Sequence, residues 1–128
     1  MNIVKVAYLA TPYAHYPAGH EQAYVDACAI AGHLLQIGIF VYCPIAHSHG
    51  LAIHAEMGPD DMHVWAPLNA AMMSRCDYLI VAHMAGWESS SGIADEIVYF
   101  ETCGKPVYDL CVKTLVLSER KLRYGTQK

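Results

Sequence analysis

Charged residues are scarce in this chain. Asp, Glu, Lys and Arg make up 16% of it, against 55% hydrophobic residues. At 128 residues the chain has one domain's worth of core and a large surface to cover. So dry a composition is expected to leave apolar side chains outside, with Trp65, Met72 and Met73 as candidates, although Trp65 also reads as core or dimer surface and Met57, Met72 and Met73 as packing. Such surface suggests a homodimer or higher homo-oligomer.

Basic clusters are lacking too. The net charge is −4 with histidines neutral, and the late basic residues Lys113, Arg120, Lys121 and Arg123 read as a solvated tail. A nucleic-acid polymer is thereby excluded as a partner, because phosphate backbones need clustered Lys and Arg. No apolar run reaches the roughly 18 residues that span a bilayer, so no membrane partner is expected. The opening residues show no charged segment with a cleavage site, which points to a cytoplasmic location. The cysteines Cys28, Cys43, Cys76, Cys103 and Cys111 are odd in number and form no C-x-x-C pair. They read as reduced thiols packed as small hydrophobes. Histidines are plentiful, yet His47, His49, His54 and His63 match no zinc spacing and no H-E-x-x-H occurs. No metal and no cofactor is expected.

What remains is an alternation of strands and helices. Residues 3–10 form a short apolar run ended by Thr11-Pro12. Helical spacing of Tyr24, Ala27, Cys28, Ala31 and Leu35 predicts a helix over 20–37, stopped by Gly38. A second strand over 39–43 is closed by Pro44, and 44–60 is less regular. Pro59-Asp60-Asp61 starts a helix running to about Arg75, with acidic residues where its dipole favours them. A strand over 77–83, a loop, a helix over 91–103 and a strand over 107–110 follow. Beyond Leu110 the pattern weakens to a short helix or a segment packed on a neighbouring subunit. The alternation implies an α/β fold, a three-layer flavodoxin- or Rossmann-like parallel sheet of about five strands with helices on both faces. Ligands bind such sheets at the strands' carboxyl ends, where the segments after Ala10, Cys43 and His83 meet.

The most informative stretch is Trp87-Glu88-Ser89-Ser90-Ser91-Gly92-Ile93-Ala94-Asp95-Glu96. A serine turn opens a helix, whose free N–H groups and dipole favour an anion such as phosphate. The hydroxyls of Ser89, Ser90 and Ser91 add hydrogen bonds, and Glu96 follows about one turn in. Serine is equally an ordinary N-cap, and early acidic residues suit any helix dipole.

Three motifs resemble the nucleoside 2-deoxyribosyltransferase superfamily, including its deoxynucleoside 5′-monophosphate N-glycosidases and a small bacterial and phage branch. They are Tyr8-Leu9-Ala10-Thr11-Pro12-Tyr13, Asp77-Tyr78-Leu79-Ile80-Val81 and Ser90-Ser91-Gly92-Ile93-Ala94-Asp95-Glu96. The resemblance spans roughly the first 110 residues and implies that Glu96 is the nucleophile, hydrogen-bonded by Tyr8. Thr11, Pro12, Tyr13, Ser89, Ser90, Ser91 and Gly92 would then contact substrate. Ser90 stands where the monophosphate glycosidases have their phosphate-contacting serine and the nucleoside transferases an aspartate. His49 would touch phosphate or base, and Trp87 is equally a base-stacking or a packing residue. The family's aspartate that protonates the leaving base is replaced by Asn69, whose amide delivers no proton at neutral pH. Asp95, Glu88 and His49 are the candidate replacements.

The chemistry fits those residue types. Breaking an N-glycosidic bond puts positive charge on the sugar, which a carboxylate stabilises and can trap covalently. Glu96 must be ionised for this, and helix N–H groups and a tyrosine hydroxyl are expected to hold its pKa down. The expected function is N-glycosidic cleavage or 2-deoxyribosyl transfer on a small nucleotide or nucleoside. A non-catalytic nucleotide-binding or sequestering protein, and a glycohydrolase of an adenine dinucleotide, are the alternatives.

Overall fold

A computed structural model describes residues 4–59 and 61–121. Ile3, Asp60 and Arg123, used in the reading above, lie outside the described residues. The chain runs through β1 (Ala7–Ala10), α1 (His20–Gln36), β2 (Val41–Tyr42), α2 (Pro44–His54), α3 (Met62–Arg75), β3 (Tyr78–Ala82), a 3-10 turn (Trp87–Ser89), α4 (Ser91–Thr102), β4 (Val107–Cys111) and β5 (Val116–Glu119). The strands form one sheet in the order β2-β1-β3-β4-β5. This is the flavodoxin-like order. The first four are parallel and β5 closes the edge antiparallel to β4.

Strand alternation decides what each layer buries. Ala7, Leu9, Ile80, Ala82 and Leu110 face one way and pack against Ala27, Ala31 and Leu34 of α1. Tyr8, Ala10, Leu79, Val81 and Val107 face the other way and meet Ile93, Ile97 and Phe100 of α4. The α/β three-layer expectation therefore holds. Asp77 ties the sheet at its entrance: its carboxylate accepts from the Val6 N–H at 2.8 Å and its own N–H donates to the Val6 carbonyl at 2.8 Å.

Two segments differ from expectation. Residues 44–54 form α2, because Pro44 occupies the helix start, where its missing N–H costs nothing. The same proline had read as the end of a strand. After β4 the chain turns back as β5, a strand antiparallel to β4 where a short helix was one of the two expectations.

Trp65, Met72 and Met73 take the core and packing readings rather than the exposed one. Trp65 is 4% exposed, its indole N–H donating to the Gly58 carbonyl at 2.9 Å. Met72 and Met73 pack partly buried against the α4-side core. The exposed large apolar residues are others, among them Val25, Leu35, Ile37, Phe40, Met62, Val64 and Val98. Of the thiols, Cys43 and Cys76 are buried, as packing requires, but Cys103 and Cys111 are exposed; none is bonded. No helix among the described residues is long and apolar enough to cross a membrane, and no group of three or more potential ligands there can hold a metal ion.

Candidate active site

Helix α4 begins as its sequence requires. Ser90 is the N-cap in extended backbone, and its Oγ accepts from the Ile93 N–H at 3.2 Å. That bond satisfies one of the free donors of the first turn. Ser89 donates its hydroxyl to the Gly86 carbonyl at 3.2 Å. Ser91 and Gly92 follow, both exposed. A Cβ added at Gly92 would make only an ordinary contact of 3.8 Å with the Ser90 hydroxyl oxygen, so sterics do not demand glycine there. With the Ile93 N–H taken by Ser90, an anion at this helix start would meet the remaining N–H groups of the first turn.

Glu96 lies one turn further in, half-buried, with Tyr8 fully buried across from it. The two groups act on each other's ionisation. Burial pushes the Glu96 carboxyl up to about 8; the Tyr8 hydroxyl opposes the rise and the Asp95 charge adds to it. Tyr8 is driven well above its ordinary value, first by burial and then by Glu96. Among the described residues the Tyr8 hydroxyl makes no hydrogen bond of ordinary geometry, so it acts on Glu96 by close approach rather than through a fully formed bond. This corrects the expectation that Glu96 is held ionised. Desolvation outweighs the helix start and the tyrosine, and the resting group is mostly protonated at neutral pH.

The other expected residues divide. Thr11 and Pro12 are buried directly after β1, and the Thr11 hydroxyl is without a partner. Asp95 is exposed on α4. Asn69 is half-buried in α3, and no hydrogen bond joins it to Glu96 or Tyr8. Tyr13 and His49 are drawn into a second cluster with two residues the sequence did not single out. The Tyr13 hydroxyl meets His49 Nδ1 at 2.7 Å, and His49 Nε2 meets a Glu21 carboxylate oxygen at 3.1 Å. A carboxylate only accepts, so in the neutral ring Nε2–H donates to Glu21 and Nδ1 accepts from Tyr13. The ring also stacks on Tyr24, centroids 4.4 Å apart, and His20 stacks on Tyr13 at 4.3 Å. With both nitrogens engaged, His49 has none left for phosphate or base. Beside it lies a shallow cavity of about 290 Å³ lined by Tyr13, His20, Glu21, His49, Ile53 and Met57.

A third cluster also went unread. Asp109, inside β4, accepts from Arg120 Nε at 3.0 Å and again from Arg120 Nη2. It also faces His83 Nε2 at 2.8 Å. Burial raises the Asp109 carboxyl, but the bonds from Arg120 and His83 outweigh that and leave it below its usual value. His83 in turn stacks on Trp87, centroids 3.9 Å apart and nearly parallel. One face of the Trp87 ring is therefore already covered. A polar residue in a strand as apolar as Val107–Cys111 is the signal that could have found Asp109.

Fold and site together define an α/β protein of flavodoxin-like strand order, with a half-buried glutamate facing a buried tyrosine beside a serine-capped helix start. The chain belongs to the family described as a domain of unknown function (DUF1937), whose profile matches residues 5–111. That span takes in β1 through β4 and every residue of the Glu96 site. No curated protein matches the chain.

Proposed function

We propose that the protein cleaves the N-glycosidic bond of a nucleotide, in the first instance a nucleoside 5′-monophosphate, with Glu96 attacking C1′ of the sugar. The observation that carries the reading is the Glu96 carboxyl set against the Tyr8 hydroxyl one turn inside a serine-capped helix. In this reading the C1′–N bond breaks with its electron pair leaving on the base. The carboxylate takes the sugar as an ester, and water or a second base releases it. Tyr8 orients the carboxylate. Ser90 and the backbone N–H groups of the first α4 turn receive the 5′-phosphate, with Ser89, Ser91 and Gly92 beside them. Glu96 gives up its resting proton to solvent before it attacks, and the departing base takes a proton from water, so turnover depends on the ionised carboxylate that the positive charge at C1′ favours. The exposed apolar residues support a homo-oligomer, and the reduced thiols a cytoplasmic setting.

The test is a product assay with deoxynucleoside 5′-monophosphates, free nucleosides and NAD. The monophosphates should turn over fastest, kcat/KM should rise with pH through about 8, and Glu96→Gln should lower kcat by about 10³-fold or more while binding persists. A Glu96→Gln protein with near-normal kcat would sink the assignment. One observation favours a second reading, a nucleotide-binding protein that does not turn its ligand over. Glu96 is largely protonated at neutral pH and Asn69 stands where the resemblance calls for a proton donor. Tight monophosphate binding by calorimetry, without free base at any pH, would decide for it.

A further inference from the structure

Glu101 is a carboxylic acid with 0% of its surface exposed, and neither carboxyl oxygen has a hydrogen-bond partner among the described residues. Such an arrangement is among the costliest a fold can contain, and native structures rarely leave one unexplained. Two cations among the described residues, Lys105 and Arg120, are engaged elsewhere. The Lys105 ammonium donates to the carbonyls of Met73, Ser74 and Cys76 at 3.3, 3.2 and 2.8 Å. Arg120 is bonded to Asp109.

Glu101 lines a cavity of about 360 Å³ together with Trp87, Glu88, Ile97, Val98 and Arg120. The cavity lies along the flank of α4 that carries Ile93, Ile97 and Glu101. At 3.6 residues per turn, Glu96 points about 140° away from Glu101. Glu96 does not line the cavity, but Ser90 at the helix start does, so the cavity borders the proposed phosphate cradle; the Glu101 end of it does not depend on the glycosidic reading.

We infer that this cavity is a binding site for a planar organic cation of the guanidinium or amidinium class, held by a bidentate pair with the Glu101 carboxylate. The two Glu101 oxygens are bare of partners among the described residues and closed to solvent; once the cavity wall parts to admit a ligand, they match the two parallel N–H groups of such a fork. The walls of Ile97, Val98 and the Trp87 indole suit a flat, weakly hydrated cation better than a strongly hydrated ammonium. Glu88 adds a second negative charge to the lining, while the positive charge of Arg120 is already paired. No cluster of three ligands is present for a metal ion among the described residues.

Benzamidinium is the probe, applied to the full chain at millimolar concentration and read by calorimetry and thermal melting. Saturable binding with a raised Tm is expected, with n-butylammonium much weaker. Glu101→Gln keeps the shape and should lose affinity by about tenfold or more. Val98→Trp, at the exposed margin of the cavity, should block binding with the carboxyl intact, which covers the case of an unfolded glutamine variant. Light scattering across a dilution series runs alongside. Assembly that benzamidinium dissociates would assign the guanidinium to an arginine of a second copy and support the same chemistry. No binding by the unaltered protein without such assembly, or equal binding by either variant, would overturn the inference.

Discussion

His49 and Glu101 are both polar side chains buried in helices, on opposite faces of one sheet, and their surroundings differ completely. His49 has each ring nitrogen bonded and a tyrosine stacked on its face. Glu101 has two oxygens and no partner among the described residues, and on its helix Glu96 carries a carboxyl whose pKa burial raises to about 8. The contrast teaches how to tell a structural polar residue from a working one. A group whose donors and acceptors are all satisfied stabilises the fold and has nothing to offer a ligand. A group left unsatisfied costs stability, and that cost is sustained where a ligand will answer it.

Removing the Glu96 charge should break this contrast most strongly. Its folded pKa, pushed up to about 8 by burial, lies above the ordinary glutamate value of 4.5. Between those values the folded state holds a proton that the unfolded state has released. Stability therefore falls as pH rises from about 4.5 to about 8, then levels off. Glu96→Gln should abolish that loss, making the variant more stable than the parent at pH 8.5 by at most about 5 kcal/mol and no different near pH 4. Parallel denaturant titrations across this range read it directly. Parallel curves for the two proteins at all pH values would mean that the carboxyl is not desolvated.

The opposite sign is expected on the other face. His49→Ala removes two hydrogen bonds and a stacked ring, and should cost about 2–4 kcal/mol of stability. If His49 is purely structural, kcat of the surviving folded protein stays within a few-fold. A kcat collapse at unchanged stability would place His49 in the chemistry after all.

Asp109→Asn sits between the two in effect. It leaves Arg120 without its counter-charge and should destabilise by about 1–3 kcal/mol at neutral pH. Because the folded Asp109 carboxyl titrates below its ordinary value, its contribution is present above that value and lost as pH falls through the folded pKa. The parent and the variant should converge in acid, which urea melts at successive pH values can follow. The smallest effect belongs to Ser90. Ser90→Ala should cost about 1 kcal/mol as a lost cap, and Ser90→Asn should restore it. If KM for a monophosphate rises in Ser90→Ala and recovers fully in Ser90→Asn, the hydroxyl acts only as a cap.

What could be read in advance was what is local. The strand–helix alternation, the glycine after α1 (Gly38, at φ +90°) and the start of α4 at Ser90 are each written in a few adjacent residues, and the structure has them. Helix α2 was missed because one proline reads both as a strand terminator and as a helix opener. Its Gly50 and alternating histidines blur the periodicity. The pairing of His49 with Glu21 and Tyr13 joins residues 28 and 36 positions apart, and no spacing rule reaches that far. Asp109 and Glu101 did leave a trace. Glu101 continues the row of Ile93 and Ile97 along the apolar face of α4, where a carboxylate has no ordinary reason to stand. The ionisation of Glu96 went unread because it is a balance of burial against hydrogen bonding, and burial belongs to the assembled core.

Lys105 carries a consequence for how the chain is made. Its ammonium closes the carboxyl end of α3 by bonding three carbonyls there, and of α3 only Trp65 is fully buried. During synthesis that end of the helix stays open to water until residue 105 has left the ribosome and β4 has begun to join the sheet. The first three strands can pair before then, since β2, β1 and β3 are neighbours. Helix α3 is thus fastened late, by a residue translated well after the helix itself. A nascent chain stalled before Lys105 should expose α3 to proteolysis while the centre of the sheet is already protected.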